Sequence, residues 1–344
     1  MSRESIDQGR RKLAGAMTLT GVAAVAGLTT TKVTAAPDFT IKLGNVTPLN
    51  HPLNVRFREA AEAISKETNG HVRVQIFPNS QLGSDSDMFS QVRSGAIQAH
   101  AVPGLIVPNA VPDCGIHGVA FAFKDYETVW RAMDGDLGAF SRNAMTSAGI
   151  QPLPKAFDNG FRQITSRDKP IKTPEDLTGF KIRCPDALAM TSIFEALGAA
   201  PTSIGMKEVY ASLQARLVDG QENSILLMET FKLYEVQKYC ALTNHMWDCF
   251  WLAFNKPYWD SLPADVKTVL EKHFSAAAEA QRRDVQSAVD GTQVQMTQKG
   301  VTFNTVSQAA FRQALTKGGY YDRWKKKFSP EAWKLLEKYS GVLV

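Results

Sequence analysis

Phe39-Thr40-Ile41-Lys42-Leu43-Gly44 alternates apolar and polar side chains, and His71-Val72-Arg73-Val74-Gln75-Ile76-Phe77 alternates again before Pro78. A period of two is the pattern of a half-buried strand. Between the two, Val55 to Thr68 carries apolar residues at helical spacing and closes at Asn69-Gly70, so the stretch reads strand, helix, strand. Units of this kind build parallel sheets covered by helices. Ser84 to Ser94 then resumes as a helix and Ile97 to Val102 as a strand, which makes the first domain α/β.

The chain changes character between Asp158 and Arg167. Asn159-Gly160-Phe161-Arg162-Gln163-Ile164-Thr165 reads as a strand entered through a turn, and Thr173 as the N-cap of a short helix with Pro174 at its first position. A strand at Lys181 to Arg183 and helices at Ala187 to Leu197 and Met206 to Ala215 follow, so a second α/β lobe begins here. From Pro263 to about Lys299 one helical run continues with no internal proline. At 1.5 Å per residue it would reach about 50 Å, longer than one lobe needs, so it is expected to run along both. A mature chain of about 300 residues exceeds a single compact core, and two domains are the default.

The first 36 residues read as an export address. Arg10-Arg11-Lys12 precedes a mild apolar run from Ala14 to Leu28, and small residues come after it up to Ala35-Ala36. This is the pattern of a cleaved signal peptide, and the paired arginines suggest the twin-arginine route. Its removal takes away Arg3, Arg10, Arg11, Lys12 and Lys32 against Glu4 and Asp7, lowering the formal charge from +5 to +2. A protein so near neutral gives no argument for nucleic acid or anionic lipid as a partner. No later segment could span a bilayer.

Chemistry is sparse. Six histidines form no HExxH or closely spaced pair, and neither GxSxG nor a phosphate-binding GxxxxGK[ST] occurs. Asp85 and Asp87 read as helix caps and a solvated face. Cys114, Cys184, Cys240 and Cys249 lie far apart, form no metal-ligand pattern, and are read as small buried thiols, a single disulfide being the lesser reading. No cofactor is expected. What remains is Arg183, at the end of Phe180-Lys181-Ile182-Arg183, with Arg162 before it and Asn223 after it in Gly220-Gln221-Glu222-Asn223, read as a turn. Planar guanidinium suits bidentate recognition of a carboxylate, and a side-chain amide can assist. The run Asn244 to Trp251 reads either as a buried connection or as a pocket wall.

These residues resemble the periplasmic solute-binding subunit of tripartite ATP-independent periplasmic (TRAP) transporters, the DctP family, over essentially the whole mature chain. The resemblance is carried by Phe77-Pro78-Asn79-Ser80-Gln81-Leu82-Gly83, Gly160-Phe161-Arg162, Pro174-Glu175-Asp176-Leu177-Thr178-Gly179-Phe180-Lys181-Ile182-Arg183, Val218-Asp219-Gly220-Gln221-Glu222-Asn223 and Tyr234-Glu235-Val236-Gln237-Lys238-Tyr239. It implies a two-lobed periplasmic-binding-protein-like fold, with mixed sheets flanked by helices and a long helix spanning both lobes. Residues 38–158 with about 248–285 would form lobe I, and 159–247 with about 286–344 lobe II.

The lobes would close over an organic acid and deliver it, in the periplasm, to membrane permease subunits, without catalysis. Arg183 would form the central ion pair, helped by Arg162 and Asn223. Asp186, Met206, His245 and Trp247 would surround the rest of the ligand, and Asn50 or His51 would close from the first lobe. Two departures from the family pattern are Cys184, where valine is common, and Ser224, where proline is common. A monocarboxylate or hydroxy acid with an apolar tail is the expected ligand, because the Trp247 to Trp251 wall is apolar. The alternatives are a C4-dicarboxylate or sugar-acid receptor, a sensory binding subunit, or a periplasmic enzyme acting on carboxylates.

Overall fold

The computed structural model describes residues 37–343. The export address lies outside them. Among the described residues ten strands form one sheet: β1 (Phe39–Gly44), β2 (Val72–Phe77), β3 (Ala99–Pro103), β4 (Ile150–Pro152), β5 (Phe157–Ser166), β6 (Lys181–Cys184), β7 (Ala200–Ser203), β8 (Gly220–Ser224), β9 (Tyr239–Asn255) and β10 (Thr302–Thr305). Their order is β2-β1-β3-β9-β5-β8-β6-β7, with β4 and β10 paired to β9. β1 pairs in parallel with β2 and β3, and β6 with β7 and β8, as strand–helix–strand units require. The antiparallel partners β5 and β9 join these two parallel halves.

β9 is the shared member. Its C-terminal end pairs with β3 and β4, and its N-terminal end pairs with β10. The β5–β9 ladder shifts register twice, between Asp158 and Gly160 and between Arg162 and Ile164. Bulges bend a ladder and raise its twist. Gly160 lies at the first with φ +92°, and Asn244, with φ 44°, stands opposite the second. The segment carrying Arg162 is thus the bend between the halves.

Helix Pro52–Glu67 starts three residues earlier than the periodicity suggests, because His51 caps it through Nδ1 and Pro52 takes the first position. It buries Leu53, Phe57, Ala60 and Ile64 along one stripe, with the Phe57 ring 4.9 Å from Phe157 and 5.9 Å from Phe274. Phe274 belongs to the long helix Ala264–Gln298. Farther along, Gln281 exchanges two 2.8 Å hydrogen bonds with the Asp158 backbone, and Met296 enters the core around Val209 and Met228. The helix therefore does run along both halves. The last helix, Pro330–Ser340, returns to the first half, where Lys338 Nζ lies 2.5 Å from Asp136 Oδ2.

One local expectation is corrected. Gly220-Gln221-Glu222-Asn223 is not a turn but strand β8, bonded to β5 on one side and β6 on the other and wholly buried. Its polar side chains hide this in the sequence, since they are satisfied inside the protein. All four cysteines are buried and unpaired.

Candidate ligand-binding site

Arg183 stands near the end of β6, flanked by Thr202 of β7 and Gln221 of β8. It is 2% exposed, its Nε donates to the Ile204 carbonyl at 2.8 Å, and it forms no ion pair with any described residue. Burial with no carboxylate bound to it pushes its pKa down to about 10. A buried cation left in this state is costly unless an anion joins it.

Arg162 is used differently. Its Nε and Nη2 grip Glu222 Oε2 and Oε1 at 2.5 and 2.9 Å, and Nη1 lies 3.8 Å from Asp248. Burial works against both members, yet attraction prevails: the Glu222 carboxyl is held at about 2 and Arg162 is raised. His245 Nε2 stands 3.4 Å from the same carboxylate. The two arginines thus divide into one neutralised and one open.

Arg183, Arg162, Asn223 and Met206 come together on a cavity of about 30 Å³, with Asp85 and Asn159. Asn223 Oδ1 accepts from the Ser224 amide at 3.1 Å, a donor that proline would lack, while its Nδ2 lies 3.5 Å from Met206 Sδ. The cavity shares Asp85, Ile106, Arg183, Pro185 and Met206 with a larger chamber of about 350 Å³ at the cleft mouth. Asp186 lines that chamber and bridges the cleft: Ser86 Oγ donates to its Oδ2 at 2.8 Å and Asn109 Nδ2 to its carbonyl at 2.7 Å.

The structure does not bring His245, Trp247 or Asn50 to the cavity. Trp247 is 1% exposed and its indole N–H donates to Asp158 Oδ1 at 2.9 Å. His245 is 1% exposed, with Nδ1 2.8 Å from Thr243 Oγ1. His245 backs the Arg162–Glu222 pair, and Trp247 packs edge-on against His117, Phe123 and Trp130. Trp251 is likewise in the core, and of the run Asn244 to Trp251 only Phe250 lines the cavity. Asn50 is an exposed turn residue, and His51 is occupied as a helix cap, burial pushing its pKa down to about 3.

Asn159 and Glu222 join the site without a mark in the sequence that singles them out, and Asp85 joins it with a faint one. Asp85 reads there as a cap, but Asp87 completes the capping box with Ser84, which leaves Asp85 free. Its Oδ1 is buried without a hydrogen-bond partner, 3.6 Å from His100 Nε2, and burial raises its pKa to about 7 despite the pull of Arg183. The spacing Ser84-Asp85-Ser86-Asp87 holds the clue, since a capping box uses only the residue three after the cap.

A sheet bent between two α/β halves, with an open buried guanidinium in the cleft, defines a solute-binding receptor for anions. The chain belongs to the DctP family, described as bacterial extracellular solute-binding protein, family 7, whose profile matches residues 43–327. Members are periplasmic receptors of TRAP transporters that bind small carboxylates and work with membrane permease subunits.

Among relatives, the C4-dicarboxylate-binding periplasmic protein DctP of Rhodobacter capsulatus is 36% identical over 239 residues, 69% of this chain and 71% of that protein. A TRAP solute-binding protein of Roseobacter denitrificans, solved with β-D-glucuronate, superposes with a TM-score of 0.84 at 27% identity, covering 88% of this chain and 99% of that one. One from Sulfurospirillum deleyianum, solved with succinate, gives 0.82 at 26% identity and covers 89% and 99%. The fold is thus the two-lobed periplasmic-binding-protein fold of these neighbours. No helix among the described residues is long and apolar enough to cross a membrane.

Proposed function

We propose that this chain is exported by its N-terminal address and serves as the periplasmic receptor for a small organic acid, which it passes to TRAP permease subunits. Lobe I comprises residues 38–158 with about 248–285, and lobe II residues 159–247 with most of the chain from about 286 to 344. The acid's carboxylate sits on Arg183, with the Asn223 amide beside it and the Arg162–Glu222 pair as a fixed wall.

The observation that carries this reading is the buried guanidinium of Arg183 without a carboxylate partner. Charge-assisted hydrogen bonds of roughly 1.5–3 kcal/mol each offset the desolvation of both ions. Lobe closure supplies them, and closure is the change that a permease senses.

The test is calorimetric titration of the protein, freed of co-purified ligand, with acids recovered from it and identified by mass spectrometry. Wild type should recover the acid unchanged and bind it again. Arg183→Ala should fold and lose binding, and Arg183→Lys should not restore it, since an ammonium cannot make the two parallel bonds. Wild-type affinity in Arg183→Ala overturns the assignment.

A further inference from the structure

We propose that the far end of the bound acid carries hydroxyl groups, rather than a second carboxylate or an apolar tail. This rests on the reading of Arg183 as the carboxylate anchor and goes beyond it to the class of acid.

The balance of charge along the path weighs against a second carboxylate. Arg183 is the one arginine on either chamber without a carboxylate partner among the described residues, and a single carboxylate satisfies it. Beyond it the ligand enters the mouth chamber, whose ionisable lining besides Arg183 is Asp85, Asp87, Asp186, Glu208 and Lys207. Lys207, exposed and in no ion pair among the described residues, is the single lysine there. A second carboxylate would therefore meet four acidic side chains against one exposed lysine. Like charges brought together as the lobes close over a ligand are disfavoured.

An apolar tail fares no better. The expectation of one rests on the Trp247 to Trp251 wall, of which Trp247 and Trp251 are sealed in the core and only Phe250 reaches the inner cavity, whose volume of about 30 Å³ leaves no room for a chain. The chamber instead presents Ser84, Ser86 and Ser203 hydroxyls among its carboxylates. A methylene chain laid there would strip water from these groups and return no hydrogen bond.

Hydroxyls match what is present. Asp85 Oδ1 is buried with no partner and lies on both chambers, one step beyond the anchor. A ligand O–H donating to it would satisfy an atom that is otherwise costly to bury. A site built to hydrogen-bond a hydroxyl rejects analogues that lack it, because its own polar groups are then left unpaired.

Three four-carbon acids isolate the effect: D-erythronate, succinate and butyrate, titrated by calorimetry into ligand-free full-length mature protein. Erythronate should bind at least tenfold more tightly than either of the others. Succinate or butyrate binding equally or better overturns the proposal, as does no measurable binding of any of the three. Asp85→Asn should narrow the gap between erythronate and succinate at least fivefold, and Glu208→Gln, on the exposed rim, should narrow it less. An unchanged gap in both variants overturns the electrostatic argument. Arg183→Ala separates the two readings: a succinate preference that depends on Arg183 sinks only this inference, whereas binding that survives Arg183→Ala sinks the anchor itself.

Discussion

Arg162 and Glu222 clasp each other across β5 and β8 through two bonds, 2.5 and 2.9 Å long, and are 3% and 0% exposed. Each is the other's compensation for leaving water. That mutual neutralisation frees Arg183 to be the group that waits for an outside anion.

Glu222→Ala leaves the Arg162 charge buried with only Asp248 nearby at 3.8 Å. Loss of one partner of a buried pair costs about 3–5 kcal/mol, whereas replacing both by apolar residues of similar volume costs far less. Urea unfolding should therefore show Glu222→Ala more damaging than the double change Arg162→Met with Glu222→Leu. If the single variant lies within about 1 kcal/mol of wild type, the pair is not structural.

Gly160 sits at the first bulge with φ +92°, and a Cβ there would stand 3.2 Å from the Ser224 Cβ. Left-handed backbone with a side chain costs about 1–3 kcal/mol. Gly160→Ala should lower stability by that order in denaturant, and the strain should also shift acid affinity, because the bend between the halves passes through this residue. Unaltered stability would show that the bulge relaxes freely.

Much of this architecture is legible in the sequence because it rests on periodicity. The alternation at Phe39 to Gly44 and His71 to Phe77, and the uninterrupted run from Ala264 to Gln298, each report burial of one face by hydrophobic patterning. β8 is not legible. Gln221, Glu222 and Asn223 look like surface residues and are buried only because Thr165, Arg162 and the Ser224 amide satisfy them. Arg183 is readable as a candidate from its strand and its guanidinium chemistry. The division of labour between it and Arg162 is not, since that depends on the β5–β8 register, which no local pattern encodes. Trp247 misleads for a related reason: an aromatic cluster signals burial, and only coordinates distinguish a core from a pocket wall.

The response to pH comes from two opposed sets of buried groups. Burial holds His51, His100 and His117 at about 3, 4 and 4, below the ordinary 6.5, and lowers His245 as well, so the unfolded chain binds more protons and stability is lost as pH falls through that window. Burial raises Asp85, Asp158 and Asp248 to about 7, 7 and 6, from an ordinary 3.8, so the folded chain binds more protons and stability is lost as pH rises through theirs. The windows overlap and the slopes oppose. The melting temperature should therefore rise only shallowly from about pH 4.5 to 6, and drop more steeply below about pH 4, where the unfolded Glu222 carboxyl takes up a proton that the folded one, held at about 2, does not. His100→Gln removes one of the four histidines from the balance, and its melting temperature should stay level across the same range. A wild-type profile that climbs steeply across that range would show the histidines prevailing.

Asp186 carries the contacts that hold the cleft mouth shut. Ser86 donates to its carboxylate and Asn109 to its carbonyl, and Asn109 Oδ1 lies 3.4 Å from the Leu188 amide. None touches Arg183, so their loss should leave the carboxylate anchor intact and ease reopening. At about 0.5–1.5 kcal/mol per bond, Ser86→Ala with Asn109→Ala should speed ligand release by roughly tenfold and leave the association rate within about twofold. Stopped-flow fluorescence of the six tryptophans would separate the two rates. An unchanged release rate would mean that the clasp does not resist opening, and that the ligand's own contacts hold the lobes together.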